Sequence, residues 1–182
     1  MKYTIKIFNV VLLALLLTNC TTTLKYNNNS KTAKYSDKEI EASIKYPEDP
    51  KNKWANCWLD NIMKNTISCD YFTLTIKNKS NKDFYIDWNK SFYLMNNQSK
   101  GTFYFEGIKH SEANSTNKPN DVIISKNTMQ RIIYPAYLLE YNNTLSTWMN
   151  RGFPLGLNGA YLNLKDENGR KKKIKLNLKL SK

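Results

Sequence analysis

The side chains able to do chemistry are few, and their spacing argues against an active site. The chain has one histidine, His110, so every Ser-His-Asp or Cys-His scheme would rest on that ring. It opens a polar loop, Ser111 to Asp121, where a solvated imidazole is the default. The acids cluster at Asp37/Glu39/Glu41, Glu48/Asp49 and Asp166/Glu167, all at strand edges or turns. None has the alternating Asp spacing and Gly of a calcium loop. Asp87, beside Trp88, reads as a structural hydrogen-bonding group. No G-x-S-x-G elbow, phosphate-binding glycine loop or H-E-x-x-H helix occurs. The chemistry on offer is recognition by aromatic rings. Phe84, Trp88, Phe103 and Phe105 share one strand parity, while Tyr85 and Tyr104 take the other, with Tyr93 beside them. Tyr85, Tyr93 and Tyr104 read either as an exposed patch that could meet a sugar ring or a partner protein, or as scattered surface tyrosines on well-formed strands. The balance leans away from an enzyme, and no cofactor is expected.

The elements that must position these residues are strands. Ile40, Ala42, Ile44 and Tyr46 alternate with polar residues, and Pro47 to Pro50 end that strand. Phe72, Leu74 and Ile76 alternate with Thr73, Thr75 and Lys77, and a turn at 78–81 leads to Phe84, Ile86 and Trp88. Phe92 to Met95, Thr102 to Ile108, Val122 to Ile124 and Met129 to Tyr134 are further strands. Residues 51–69 read equally as a loop, a helical turn or a strand, and 137–149 leave room for a short helix. At the C-terminus, a two-residue Asn168-Gly169 turn would put leucines and lysines on one face. A three-residue loop, Glu167-Asn168-Gly169, instead pairs Leu162 with Ile174 and Ala160 with Leu176, and keeps the core face apolar. Ile174, Leu176, Leu178 and Leu180 then point inward, and Lys173, Lys175 and Lys179 outward. Seven or eight short alternating strands without interleaved helices predict an all-β antiparallel sandwich.

The first nineteen residues carry an address. Lys2 and Lys6 precede the apolar run Val10 to Leu17, which is too short to span a bilayer and matches an export signal. Leu17-Thr18-Asn19-Cys20 resembles the lipobox of bacterial lipoproteins, with Asn19 where that family prefers Gly, Ala or Ser. The resemblance implies that Cys20 is acylated and becomes the first residue of the mature chain, anchoring it to a membrane. Several acyl chains hold a protein stably where one does so only marginally. Thr21 in place of an acid leans towards the outer rather than the inner membrane. The expected organisation is a signal at 1–19, a lipidated tether at 20–36 and a sandwich domain at 37–182.

Loss of the signal removes Lys2 and Lys6 and takes the formal charge from +13 to +11. The excess is nearly all lysine, with only Arg131, Arg151 and Arg170, so the guanidinium forks of a nucleic-acid reader are scarce. With Cys20 taken by lipid, Cys57 and Cys69 form an even pair in an exported chain. They are expected to be disulfide-bonded, which would contribute roughly 3 kcal/mol by loop closure; two buried thiols are the alternative. Two Cys and one His do not fill a zinc shell.

One longer stretch carries a family likeness. Phe72 to Ser80, ending Asn78-Lys79-Ser80, is followed by Ile86-Asp87-Trp88-Asn89-Lys90-Ser91, then Gly107-Ile108-Lys109, Pro119 and Pro135. This run, over residues 72–135, resembles small bacterial lipoproteins of unknown function with an immunoglobulin-like sandwich. The resemblance implies that fold and an envelope location, and it supplies no activity. The reading is a lipid-anchored, non-enzymatic envelope protein that binds or scaffolds another component, foremost a protein. A carbohydrate-binding or carbohydrate-active protein and a surface adhesin are the alternatives.

Overall fold

The computed structural model describes residues 31–47, 57–60 and 66–181, with 57–60 and 66–68 described by their backbone alone. The expectations for the signal, for Cys20 and for residues 21–30 lie outside the described residues. The strands are β1 (Thr32–Ser36), β2 (Ile40–Lys45), β3 (Cys57–Asp60), β4 (Thr66–Cys69), β5 (Phe72–Asn78), β6 (Phe84–Ile86) and β7 (Phe92–Met95). They continue as β8 (Gln98–Tyr104), β9 (Asp121–Ile123), β10 (Thr128–Pro135), β11 (Leu139–Asn142), β12 (Thr147–Asn150), β13 (Gly156–Asp166) and β14 (Lys171–Leu180). The fold is an antiparallel, sandwich-like all-β structure. One layer runs β1-β2-β5-β10; the other runs β8-β7-β13-β6-β9, with β14 on the far side of β13. The two are joined where β10 pairs β8 over two residues, Tyr134 opposite Tyr104 and Pro135 opposite Phe103. β3–β4 and β11–β12 are separate two-stranded ribbons.

The period-two pattern sets the core. Ile40, Ile44, Phe72, Leu74, Ile76 and Ile133 come from one layer, and Phe84, Ile86, Phe103, Leu162 and Ile174 from the other, each fully buried. The C-terminal hairpin has the expected register, Leu162 opposite Ile174 and Ala160 opposite Leu176. Gly169 takes the left-handed conformation (φ 78°) that the three-residue loop requires.

Four local readings change. The domain starts before residue 37, because Thr32–Ser36 pairs with Glu41–Lys45 as β1. The expected break at 96–101 is only a two-residue turn at Asn96 and Asn97, both left-handed (φ 50° and 65°), and β8 resumes at Gln98. The strand expected over 102–108 ends at Tyr104. The room left for a helix at 137–149 holds a 3-10 turn, Ala136–Leu138, and then the β11–β12 hairpin.

The stretches behind the family likeness act as fasteners. Asn78, fully buried, donates to the carbonyls of Lys82 (2.7 Å) and Ile123 (3.0 Å) and accepts from the Ser80 amide and hydroxyl. Ser91 donates to the Asp87 carbonyl and accepts from the Asn163 amide, tying the Trp88–Lys90 turn to β13. At the other edge, burial would push the Asp37 carboxyl up, but the Lys172 ammonium (2.6 Å) and the Ile40 and Glu39 amides outweigh it. They hold the group well below the usual carboxylate range.

Candidate functional site

Of the two readings for the tyrosines, the shared patch does not form, and they are not simply scattered surface rings either. Tyr93 is fully buried in the core, its hydroxyl donating to Asn158 Oδ1. The 3-10 turn Trp88–Lys90 separates β6 from β7, so the alternation of Phe84, Ile86 and Trp88 does not carry through, and Tyr93 faces the core opposite the buried Ala160 of β13. Tyr104 does lie on the outer face, yet it is only 3% exposed because other elements cover that face. Tyr134 stacks on its ring (5.1 Å between centroids), Ala113 and Ala136 pack around it, and its hydroxyl donates to Asn150 at 2.8 Å. Tyr85 is half-buried on β6, opposite Lys165 and Val122. The three do not share a surface.

The structure instead brings Tyr104, His110 and Tyr134 together around an open cleft of about 800 Å³, shared with Phe105, Glu106, Ile108, Gln130, Arg131 and Ile132. Residues 104–106 and 130–132 are two consecutive triplets. Side chains alternate between faces along a strand, so a hollow lined by consecutive residues lies against strand edges and not on one sheet face. Its origin is the end of β8. The Ile108 amide donates back to the Phe105 carbonyl (3.0 Å) in a turn that places Gly107 at φ 91°, and the chain swings away from β10.

The walls are aromatic and polar. His110 meets Tyr104 edge-on (5.7 Å) and Trp148 beyond it (6.4 Å), and Trp148 contacts Tyr141 (5.3 Å), so rings continue from the cleft onto the β11–β12 hairpin. Arg131 lies over Phe105 (4.6 Å) and donates to Asp121 at 2.5 Å, which neutralises it. Asp121 also accepts from Trp88 Nε1 (3.0 Å), so the acid that serves the buried tryptophan is Asp121. Asp87 instead pairs with Lys90. Glu106 is exposed and has no ion-pair partner among the described residues.

Behind the tyrosine wall lies Asp70, 1% exposed, with neither carboxylate oxygen hydrogen-bonded among the described residues. Burial pushes its carboxyl up to about 6. The nearby Asn150 side-chain amide, whose oxygen accepts from Tyr104, and the Asp70 main-chain amide pull the other way without outweighing burial. Burial first, and then the Asp70 charge, push the Tyr71 and Tyr134 phenols up as well.

Sequence reasoning reached Tyr104 and His110 but missed Asp70, Arg131 and Tyr134. Glu106-Gly107 inside an expected strand was the available signal for the break that opens the cleft. Among the described residues no group of three His, Cys, Asp or Glu side chains converges as a metal site. No family model matches the chain, and no curated protein matches it.

Proposed function

We propose that the protein is a lipid-anchored bacterial envelope protein that works by binding, and that the cleft between β8 and β10 is where it holds another envelope protein. The observation that carries this reading is the cleft itself, open to solvent, walled by Tyr104, Tyr134 and His110 and bounded by strand edges. Rings with one polar end are the side chains most used for protein contacts. Among the described lining residues Glu106 is the only carboxylate, whereas glycoside hydrolysis needs two that face each other. Cys20, acylated, supplies the anchor in this reading, and the sandwich supplies the rigid support.

A benzophenone amino acid placed at Gln130 in the cells of origin tests it, with Lys173 on β14 as the control position. A defined protein crosslinked from Gln130 and not from Lys173 is the expected result. Peptidoglycan or other glycan captured in its place would move the site to carbohydrate binding, an outcome for which the ring series from Tyr104 to Trp148 leaves room.

We also propose a Cys57–Cys69 disulfide. The two residues are directly opposed in the β3–β4 ladder, and opposed antiparallel pairs place their Cα atoms about 4.5–5.5 Å apart, within disulfide reach. Unfolding the oxidised and reduced chains in denaturant should separate them by roughly 2–4 kcal/mol. Labelling of both thiols in the unreduced protein would refute the bond.

A further inference from the structure

The main chain of β10 gives the proposed binding role a mode and a chemical class of partner, and both rest on that role. The Asn78 amide donates to the Asn127 carbonyl directly opposite it (2.8 Å). In an antiparallel ladder such exchanging pairs alternate. Met129, Arg131 and Ile133, two, four and six residues on, therefore direct their main-chain groups at β5 through their partners Ile76, Leu74 and Phe72. Gln130 and Ile132 direct theirs the other way, to the side where β10 meets β8. The Tyr134–Tyr104 pair is the last on that side. Had β8 run on, Glu106 and Ile108 would have faced Ile132 and Gln130; the Gly107 turn removes them. Among the described residues no hydrogen bond reaches the amides or carbonyls of Gln130 and Ile132 on this side.

The cleft thus presents two amides and two carbonyls spaced as a strand partner needs them. Natural sheets shield such an edge with lysine, proline or a covering element. Here Ile132 is 41% exposed, and Arg131 is held by Asp121 and Phe105. The charge of the site also runs against that of the chain. The protein is strongly basic, yet among the described residues the charge left unpaired in the cleft is the Glu106 carboxylate, with Asp70 behind the wall.

We propose that the cleft takes an extended peptide segment of another protein as an added strand on the free edge of β10. The segment carries apolar side chains at alternate positions and a lysine or arginine near Glu106. The main chain of Gln130 and Ile132 holds its backbone. Tyr104, Tyr134 and Ile132 receive the side chains on one face of the new strand, in the manner of strand-addition recognition.

The test selects peptides from a displayed random library on the full-length chain in detergent. The expected winners alternate apolar residues and include a cation. Methylating their two edge-facing amide nitrogens should weaken binding at least tenfold, while methylating the intervening amides changes it little. Ile132→Pro should cause the same loss with the fold intact, because its amide makes no bond to β5; Glu106→Lys should weaken binding about tenfold. Winners whose affinity ignores both methylation and Ile132→Pro, or a selection that yields no winner, would overturn strand addition. If a protein is still crosslinked from Gln130 in cells, the binding role survives that failure; an absence of any crosslink there removes the role itself.

Discussion

Replacing Asp70 with Asn should stabilise the protein at pH 8 by about 2–3 kcal/mol and change little at pH 4. The wild-type carboxyl is buried beneath the tyrosine wall without a hydrogen-bond partner among the described residues, and its pKa is raised to about 6. In the unfolded chain it titrates near its ordinary value of 3.8. A raised folded pKa means that the native state holds this proton more tightly. The associated stability is fully present below the unfolded value and is lost as pH rises through the folded one. The gap of about two units corresponds to roughly 3 kcal/mol at pH 8. Asn removes the charge but leaves a buried polar group, which keeps the gain at or below that figure. Urea unfolding of both proteins from pH 4 to pH 8 measures it. The difference should open between pH 4 and 6 and be flat above about 7. A difference that does not vary with pH, or an Asn variant weaker at pH 8, would mean that the carboxylate has a partner after all. An acid kept at such a penalty, behind the ring wall of an open cleft, fits the pattern in which perturbed groups gather at functional places.

Gly159→Ala should destabilise the protein by about 3 kcal/mol or more, at or beyond the top of the usual range for overpacking. Gly159 sits inside β13, opposite Asn177 of β14 and Leu94 of β7. A Cβ there would stand 2.1 Å from the Leu176 carbonyl oxygen and 2.6 Å from Asn177 Oδ1. The first obstacle is main chain in the neighbouring strand, so no rotamer change relieves it. β14 must move outward, and with it the buried Leu176 and Leu178. Gly101→Ala, where an added Cβ meets nothing within 4 Å but the backbone is left-handed (φ 116°), gives a purely conformational cost for comparison. Denaturant midpoints of the two variants decide the matter, and a Gly159→Ala protein as stable as wild type would show that β13 and β14 stand further apart than their pairing implies.

Much of the architecture was legible in single residues. Alternation at Phe72-Leu74-Ile76 and Ile174-Leu176-Leu178 places each set on the core face, because period two is a local property of extended chain. The C-terminal register followed from requiring one apolar face and a glycine at the left-handed position. Tyr93 and Tyr104 escaped the same logic for two different reasons. The 3-10 turn at Trp88–Lys90 resets the parity before Tyr93, and Tyr104 is covered on its outer face by Tyr134, Ala113 and Ala136, which arrive from elsewhere in the chain. Burial on the second face of a sheet depends on what docks there, and no local pattern encodes it.

The cleft belongs to the same class. Gly107 marks a break, yet nothing near it in sequence says that the opposite edge belongs to β10. Likewise Asp70 reads as an ordinary polar residue after Cys69 until folding brings Tyr104, Tyr134 and Asn150 around it. The sequence alone determined the all-β class, the core parity and the terminal hairpin, since these depend on neighbours along the chain. Tertiary structure decided which edge stays unpaired and which acid loses its water, since both depend on contacts between strands far apart in sequence.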